Sequence, residues 1–118
     1  MSQSLSKINI HLVFSTKNRQ PLISFEHQSE LYAYTATILK NLECPVIVIG
    51  GTEDHIHILC VQSKNISLSD LVRQVKATTS KWMKSKSPQF NDFHWQSGYG
   101  AFSVSESHVE RVRKYIVN

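Results

Sequence analysis

The stretch VIVIGGTEDHIHILCVQ, residues 46–62, decides the fold. Val46 to Gly51 is a β-branched run that closes on two glycines, and His55 to Gln62 is a second apolar run. The GGTED connection is too short for a crossover, so the two runs predict an antiparallel hairpin. In the second run His55 and His57 are one residue apart. Side chains alternate sides along a strand, so both imidazoles fall on one face. Either the pair grips something or it belongs to a polar sheet face.

Upstream, KINIHLVFSTK (residues 7–17) alternates Ile8, Ile10, Leu12 and Phe14 with Asn9, His11, Val13 and Ser15, the pattern of a half-buried strand. NRQPL breaks it, with Pro21 as the turn signal. From about Glu26 to Asn41 the apolar spacing becomes helical, with Leu31, Tyr34, Ile38 and Leu42 as one stripe, and Pro45 ends it. Downstream of the hairpin, Ser67 opens a second helix with Asp70 at the capping-box position. Its stripe reads Leu68, Leu71, Val72, Val75, Thr79 and Trp82. SKSPQFND is a loop, and YGAFSVS (residues 99–105) predicts a fourth strand. Ser105 or Ser107 then caps a last helix whose apolar side is Val109, Val112 and Ile116.

The order β-α-β-β-α-β-α predicts an α+β, ferredoxin-like antiparallel sheet with helices on one face and an extra C-terminal helix. In that topology strands one and three are central neighbours. Ile8, Ile10, Leu12, Ile56 and Ile58 then meet the helices, and His55, His57 and His11 share the opposite, open face. A site on an uncovered face is within reach of a large substrate.

A chain of 118 residues, 41% hydrophobic and 19% charged, fits one globular domain spanning residues 1–118. No apolar run approaches the roughly 18 residues that cross a bilayer, and MSQSLSKINI has no long apolar stretch of the signal-peptide kind. Cys44 and Cys60 lie in apolar, strand-like segments, which favours free thiols and a reducing, cytoplasmic setting over a disulfide. A net charge of +4 permits a nucleic-acid partner without demanding one.

Two neutral imidazoles on one face suit a divalent cation with room left for substrate oxygens, and the neighbouring carboxylates Glu53 and Asp54 strengthen that reading. The bland alternative is a polar strand face. His11 reads first as a sheet histidine and second as a group orienting a ligand from behind. Tyr115, in VRKYIVN, sits beside Lys114 and four places after Arg111. A phenol with a pKa of about 10 is a poor nucleophile until nearby positive charge or a metal-bound phosphate assists it. Its alternative is a helix tyrosine packed on the sheet.

Together these segments resemble the HUH single-tyrosine transposases, the small enzymes of minimal insertion sequences and their REP-associated relatives. HLVFSTKNRQPLI resembles the family's first strand and basic loop, GGTEDHIHIL its histidine-hydrophobe-histidine strand, and LSDLVRQVKATTSKWM its second helix. WQSGYGAFSVS is similar to the approach to its last helix and VRKYIVN to its tyrosine segment, so the likeness spans nearly the whole chain.

The resemblance implies a homodimer that binds single-stranded DNA with hairpin ends. His55 and His57 would hold Mg²⁺ or Mn²⁺, and Tyr115 would attack the scissile phosphate to leave a 5′-phosphotyrosine and a free 3′-hydroxyl. The family's third metal ligand is a glutamine one helical turn past the tyrosine, a place beyond Asn118 here. Either the chain is shortened, or Glu53, Asp54 or water fills that place, or the protein is a catalytically silent one that binds DNA hairpins. For DNA contact the candidates are Lys17 and Arg19 after the first strand and Arg73, Lys76 and Lys81 on the second helix. Trp95 and Tyr99 are the candidates for stacking on an unpaired base. An unrelated RNA-binding module of this fold would put aromatics on the open face of the central strands, where this chain has His11, Val13, His55 and His57.

Overall fold

A computed structural model describes residues 7–117. It contains strands β1 (Ile8–Ser15), β2 (Val46–Gly51), β3 (His55–Gln62) and β4 (Gly100–Val104) and helices α1 (Phe25–Asn41), α2 (Leu68–Lys86) and α3 (Val109–Val117). The strands pair antiparallel in the order β2-β3-β1-β4, which is the ferredoxin-like sheet. β2 and β3 are the predicted hairpin, and β1 and β3 are the predicted central pair.

The β1 alternation holds. Ile10, Leu12 and Phe14 are buried against Leu39 of α1 and Leu71, Val72 and Val75 of α2, together with Ile56, Ile58 and Cys60 of β3. Ile8, expected inside, is half exposed at the first position of the strand. A second cluster of Ile23, Leu31, Met83, Phe90 and Phe93 packs the helix ends beyond the sheet. Both cysteines are free and fully buried.

The α1 stripe is turned from the expected phase toward Thr35 and Leu39, with Ile38 and Leu42 still packed on the core, while the α2 stripe holds from Leu71 through Thr79 and departs only at its end. α1 buries Leu31, Thr35 and Leu39, while Tyr34 turns outward to stack on Trp82 at 5.0 Å between ring centroids. α2 buries Met83 where Trp82 was expected. Thr35 donates its hydroxyl to the Leu31 carbonyl and Thr79 donates to the Val75 carbonyl, so a polar residue sits in the core at little cost. The α2 cap is as read: Ser67 Oγ accepts from the Asp70 amide at 3.1 Å.

The register sets up the other face of the sheet. Gly50 of β2 stands opposite His57, His57 opposite Val13, and Val13 opposite Gly100. Cross-strand partners share a face, so one row across the sheet reads Gly-His-Val-Gly. At the β2 end of that row, a Cβ on Gly50 would lie 2.6 Å from the Ile116 carbonyl oxygen. The missing side chain therefore admits α3, which packs on β2 and β3 from the histidine side. The face opposite α1 and α2 is thus partly covered, not wholly open as expected.

Candidate active site

His55 and His57, the first and third residues of β3, have ring centroids 4.9 Å apart. Each is held through Nδ1. His55 Nδ1 donates to Asp54 Oδ1 at 2.8 Å and lies 3.0 Å from Thr52 Oγ1. The same carboxyl oxygen accepts from Thr52 Oγ1 at 3.1 Å and faces Arg19 Nη2 at 3.4 Å. The His55 hydrogen bond, followed by that of Thr52 and the positive charge of Arg19, holds the Asp54 carboxyl below its ordinary range. Asp54 is therefore engaged behind the ring, and Glu53, which is exposed, uses its carbonyl to accept the Ile23 amide.

His57 Nδ1 is 2.9 Å from His11 Nε2, and the two rings stack with centroids 5.1 Å apart. Burial, then the neighbouring His11 and His55, lowers the His57 pKa to about 4. Burial also lowers that of His11. His57 is consequently neutral near pH 7. With both Nδ1 atoms engaged, the two Nε2 atoms are left, which is the nitrogen pair a divalent cation takes from imidazoles. The donor chemistry fits two ligands of such an ion. Among the described residues no group of three or more His, Cys, Asp or Glu side chains completes a set.

Tyr115 stands over this pair. Its ring centroid lies 5.7 Å from that of His57 and 6.3 Å from that of His11, edge-on in both cases. The side chain is 66% exposed, so a bulky substrate can reach the phenol. Tyr115, His55 and His57 line an open groove of about 410 Å³ together with Arg19, Gln96, Tyr99 and Gly100. The groove runs where Gly100, at the far end of the Gly-His-Val-Gly row, adds no side chain.

The basic candidates do not gather at one place. Arg19 lines the groove, on a short 3₁₀ turn, Lys17–Arg19, in which Asn18 and Arg19 both have left-handed backbone (φ 56° and 53°). That turn is pinned to the loop after α2 by the Lys17 amide on the His94 carbonyl and the Asn18 amide on Gln96 Oε1, both 2.9 Å. Lys17 is exposed beside it. Lys76 is engaged within the fold, where its ammonium donates to the Gln96 and Gly98 carbonyls and burial lowers its pKa. It braces the groove wall from behind. Arg73 pairs with Asp70 on the outer side of that wall, and Lys81 flanks the stacked Tyr34 and Trp82 on the helical side of the molecule.

Of the two stacking candidates, Tyr99 is exposed on the groove wall. Trp95 is half-buried, donates from Nε1 to Thr79 Oγ1 at 2.9 Å and meets Phe14 and Phe93 edge-on, so it is packing. Phe102 was not singled out from the sequence. It faces His11 across the sheet and is 60% exposed, and the alternation of β4 is the signal that places it there.

Residues 4–118 match the model of the family described as transposase, IS200-like, and the chain belongs to that family. It is 24% identical over 115 residues to the ISDra2 transposase TnpA of Deinococcus radiodurans, covering 93% of this chain and 82% of that one. A crystal structure of a candidate transposase from Deinococcus radiodurans R1 superposes with a TM-score of 0.77 at 22% identity, covering all of this chain and 97% of that one. A REP-associated tyrosine transposase bound to a REP hairpin superposes with a TM-score of 0.69 at 12% identity, over 98% of this chain and 70% of the other. At these identities the structural likenesses establish the fold. Among the described residues no helix is long and apolar enough to cross a membrane.

Proposed function

We propose that this transposase cleaves and rejoins single-stranded DNA through a covalent 5′-phosphotyrosine at Tyr115, assisted by Mg²⁺ or Mn²⁺ held by His55 and His57. The observation that carries the reading is the Tyr115 ring 5.7 Å from His57 at the head of an open groove. The tyrosine oxygen attacks phosphorus, the bond from phosphorus to the 3′ oxygen breaks, and the departing 3′ oxygen takes up a proton as tyrosine gives one up. The new ester keeps the energy of the broken one, so a 3′-hydroxyl can reverse the step at another junction without ATP. A divalent cation supplies charge neutralisation at the crowded phosphate. His55 and His57 present neutral nitrogens, Asp54 and His11 hold the rings, and Arg19 offers a cation to the backbone along the groove.

The substrate we assign is single-stranded DNA flanked by hairpins, in keeping with the REP hairpin held by the structural relative. Residues 1–118 then act as one transposase domain, working as a homodimer in the cytoplasm. Lys17 and Arg19 are assigned the DNA strand at the groove, with Arg73 and Lys81 on flanking surfaces. A second reading, a silent hairpin-binding protein, is favoured by one observation: among the described residues no third His, Cys, Asp or Glu side chain joins the histidine pair in a cation-binding group.

Labelled single-stranded DNA carrying a foldback hairpin, incubated with Mn²⁺ and run on a denaturing gel, separates the two. A covalent protein–DNA band that disappears in Tyr115→Phe and with chelator supports the transposase. Shifted DNA on a native gel with no covalent band supports the silent binder.

A further inference from the structure

His11 and His57 are not cross-strand partners. His11 stands opposite Leu59, and His57 opposite Val13, so the two histidines are diagonal neighbours on β1 and β3. Diagonal Cβ atoms are about 7–8 Å apart or somewhat less, a gap that only a long or ringed side chain closes. It is closed here, with Nε2 of His11 2.9 Å from Nδ1 of His57. Two neutral imidazoles in that contact have only one consistent pairing if His57 offers Nε2 to a ligand. His57 then carries its proton on Nδ1 and donates it, and His11 accepts on Nε2 and keeps its own proton on Nδ1.

His55 shows the same device built from other parts. Its Nδ1 proton is taken by Asp54, with Thr52 alongside. The site thus has two half-buried histidines with two different supports: a carboxylate for the ring at the start of β3 and an imidazole for the ring two residues further into the sheet. A carboxylate beside His57 would place a negative charge in the middle of the sheet, where burial penalises it. An imidazole accepts the same hydrogen bond without that charge.

We propose that His11 is a positioning residue that fixes His57 as its Nδ1–H tautomer and so directs the His57 Nε2 lone pair toward the groove. This rests on the reading of His55 and His57 as a cation site, but it is a statement about a ring and a proton that can be tested without cleavage.

The test uses the full chain, labelled with ¹⁵N-histidine and free of metal, and reads tautomers from long-range ¹H–¹⁵N spectra. Wild type is expected to show His57 with the proton on Nδ1. In His11→Phe, which keeps a flat ring but no acceptor, His57 is expected to lose that preference. Mn²⁺ affinity is expected to fall about 10- to 100-fold, the usual effect of losing such a support. His11→Gln, whose terminal oxygen reaches about as far as Nε2, restores both. His11→Asn, one bond shorter, does not.

A wild-type His57 protonated on Nε2, or a His57 tautomer unchanged in a folded His11→Phe, overturns the proposal. If His11→Phe does not fold, the Gln and Asn pair decides: equal Mn²⁺ affinity in the two also overturns it. If wild type binds no Mn²⁺, the cation reading fails, and the tautomer spectra alone still support or overturn the role of His11. Failure to form a Tyr115 adduct while the tautomer and Mn²⁺ results hold counts against the cleavage reading and leaves His11 supported.

Discussion

The carbonyl oxygen of Ile116 lies where the side chain of residue 50 would begin: a Cβ on Gly50 would be 2.6 Å from it and 2.9 Å from Ile116 Cγ2. The obstacle is backbone as well as side chain, so a rotamer change cannot relieve it. Because Tyr115 immediately precedes Ile116, the approach of α3 to β2 sets where the phenol stands relative to His57.

Gly50→Ala is therefore expected to push α3 away from the sheet, lowering stability by about 1–3 kcal/mol as overpacked sites do. Covalent adduct formation should fall at least tenfold, with Mn²⁺ affinity near wild type because the histidines belong to the sheet. Urea midpoints, adduct yield and a Mn²⁺ titration on the same variant check this. Equal adduct yield in a folded Gly50→Ala would show that α3 is not placed by this contact.

Arg19 and Lys76 should part company in salt. Each phosphate contact on a single strand contributes about 0.7 to the slope of log K against log salt, so Arg19→Ala is expected to reduce the slope by roughly that amount. Lys76→Met is expected to leave the slope unchanged and cost about 1 kcal/mol of stability through its lost hydrogen bonds. Filter binding across a salt series gives the first result and thermal melts the second.

Acid should weaken the metal-free protein in a defined window. The folded His57 titrates at about 4, below the value of about 6.5 for a free histidine. Between those values the unfolded chain binds a proton that the native chain refuses, so stability drops as pH falls from 6.5 toward 4 and is fully present above 6.5. His11, lowered by burial, acts in the same direction. Urea midpoints at pH 7 and pH 5 in chelator should differ less in His57→Phe than in wild type.

Asp54→Asn keeps the shape of the His55 support and removes its charge. Mn²⁺ affinity is expected to drop about tenfold, with the fold intact, and isothermal titration measures it. An unchanged affinity would mean that Thr52 alone orients His55.

Much of this arrangement was legible in the residues themselves. The alternation of β1, the glycine-closed hairpin and the single-residue spacing of His55 and His57 depend only on local periodicity, and they appear in the structure at the expected places. What was not legible depends on partners distant in the chain. Thr35 looks polar until its hydroxyl is seen bonded one turn back, so the α1 stripe was misphased, and the α2 stripe erred only in taking Trp82 for Met83. Trp95 looks free until Thr79 takes its indole proton, and Lys76 looks like a surface cation until two loop carbonyls claim it. The face chosen by α3 follows from the missing side chain at Gly50, a contact between residues far apart in the chain that no periodicity reports. His11 was visible as one more histidine on the face, but its pairing with His57 is diagonal and needs coordinates.

The two cysteine sulfurs complete the picture. Cys44 and Cys60 have no solvent exposure, and burial raises both thiols, Cys60 to about 12. Alkylating reagents attack the thiolate, so neither sulfur is open to modification while the α1–α2 side of the sheet stays closed. The chain thereby carries an internal gauge of whole-molecule opening, one that stays silent when only its tyrosine-bearing end comes loose.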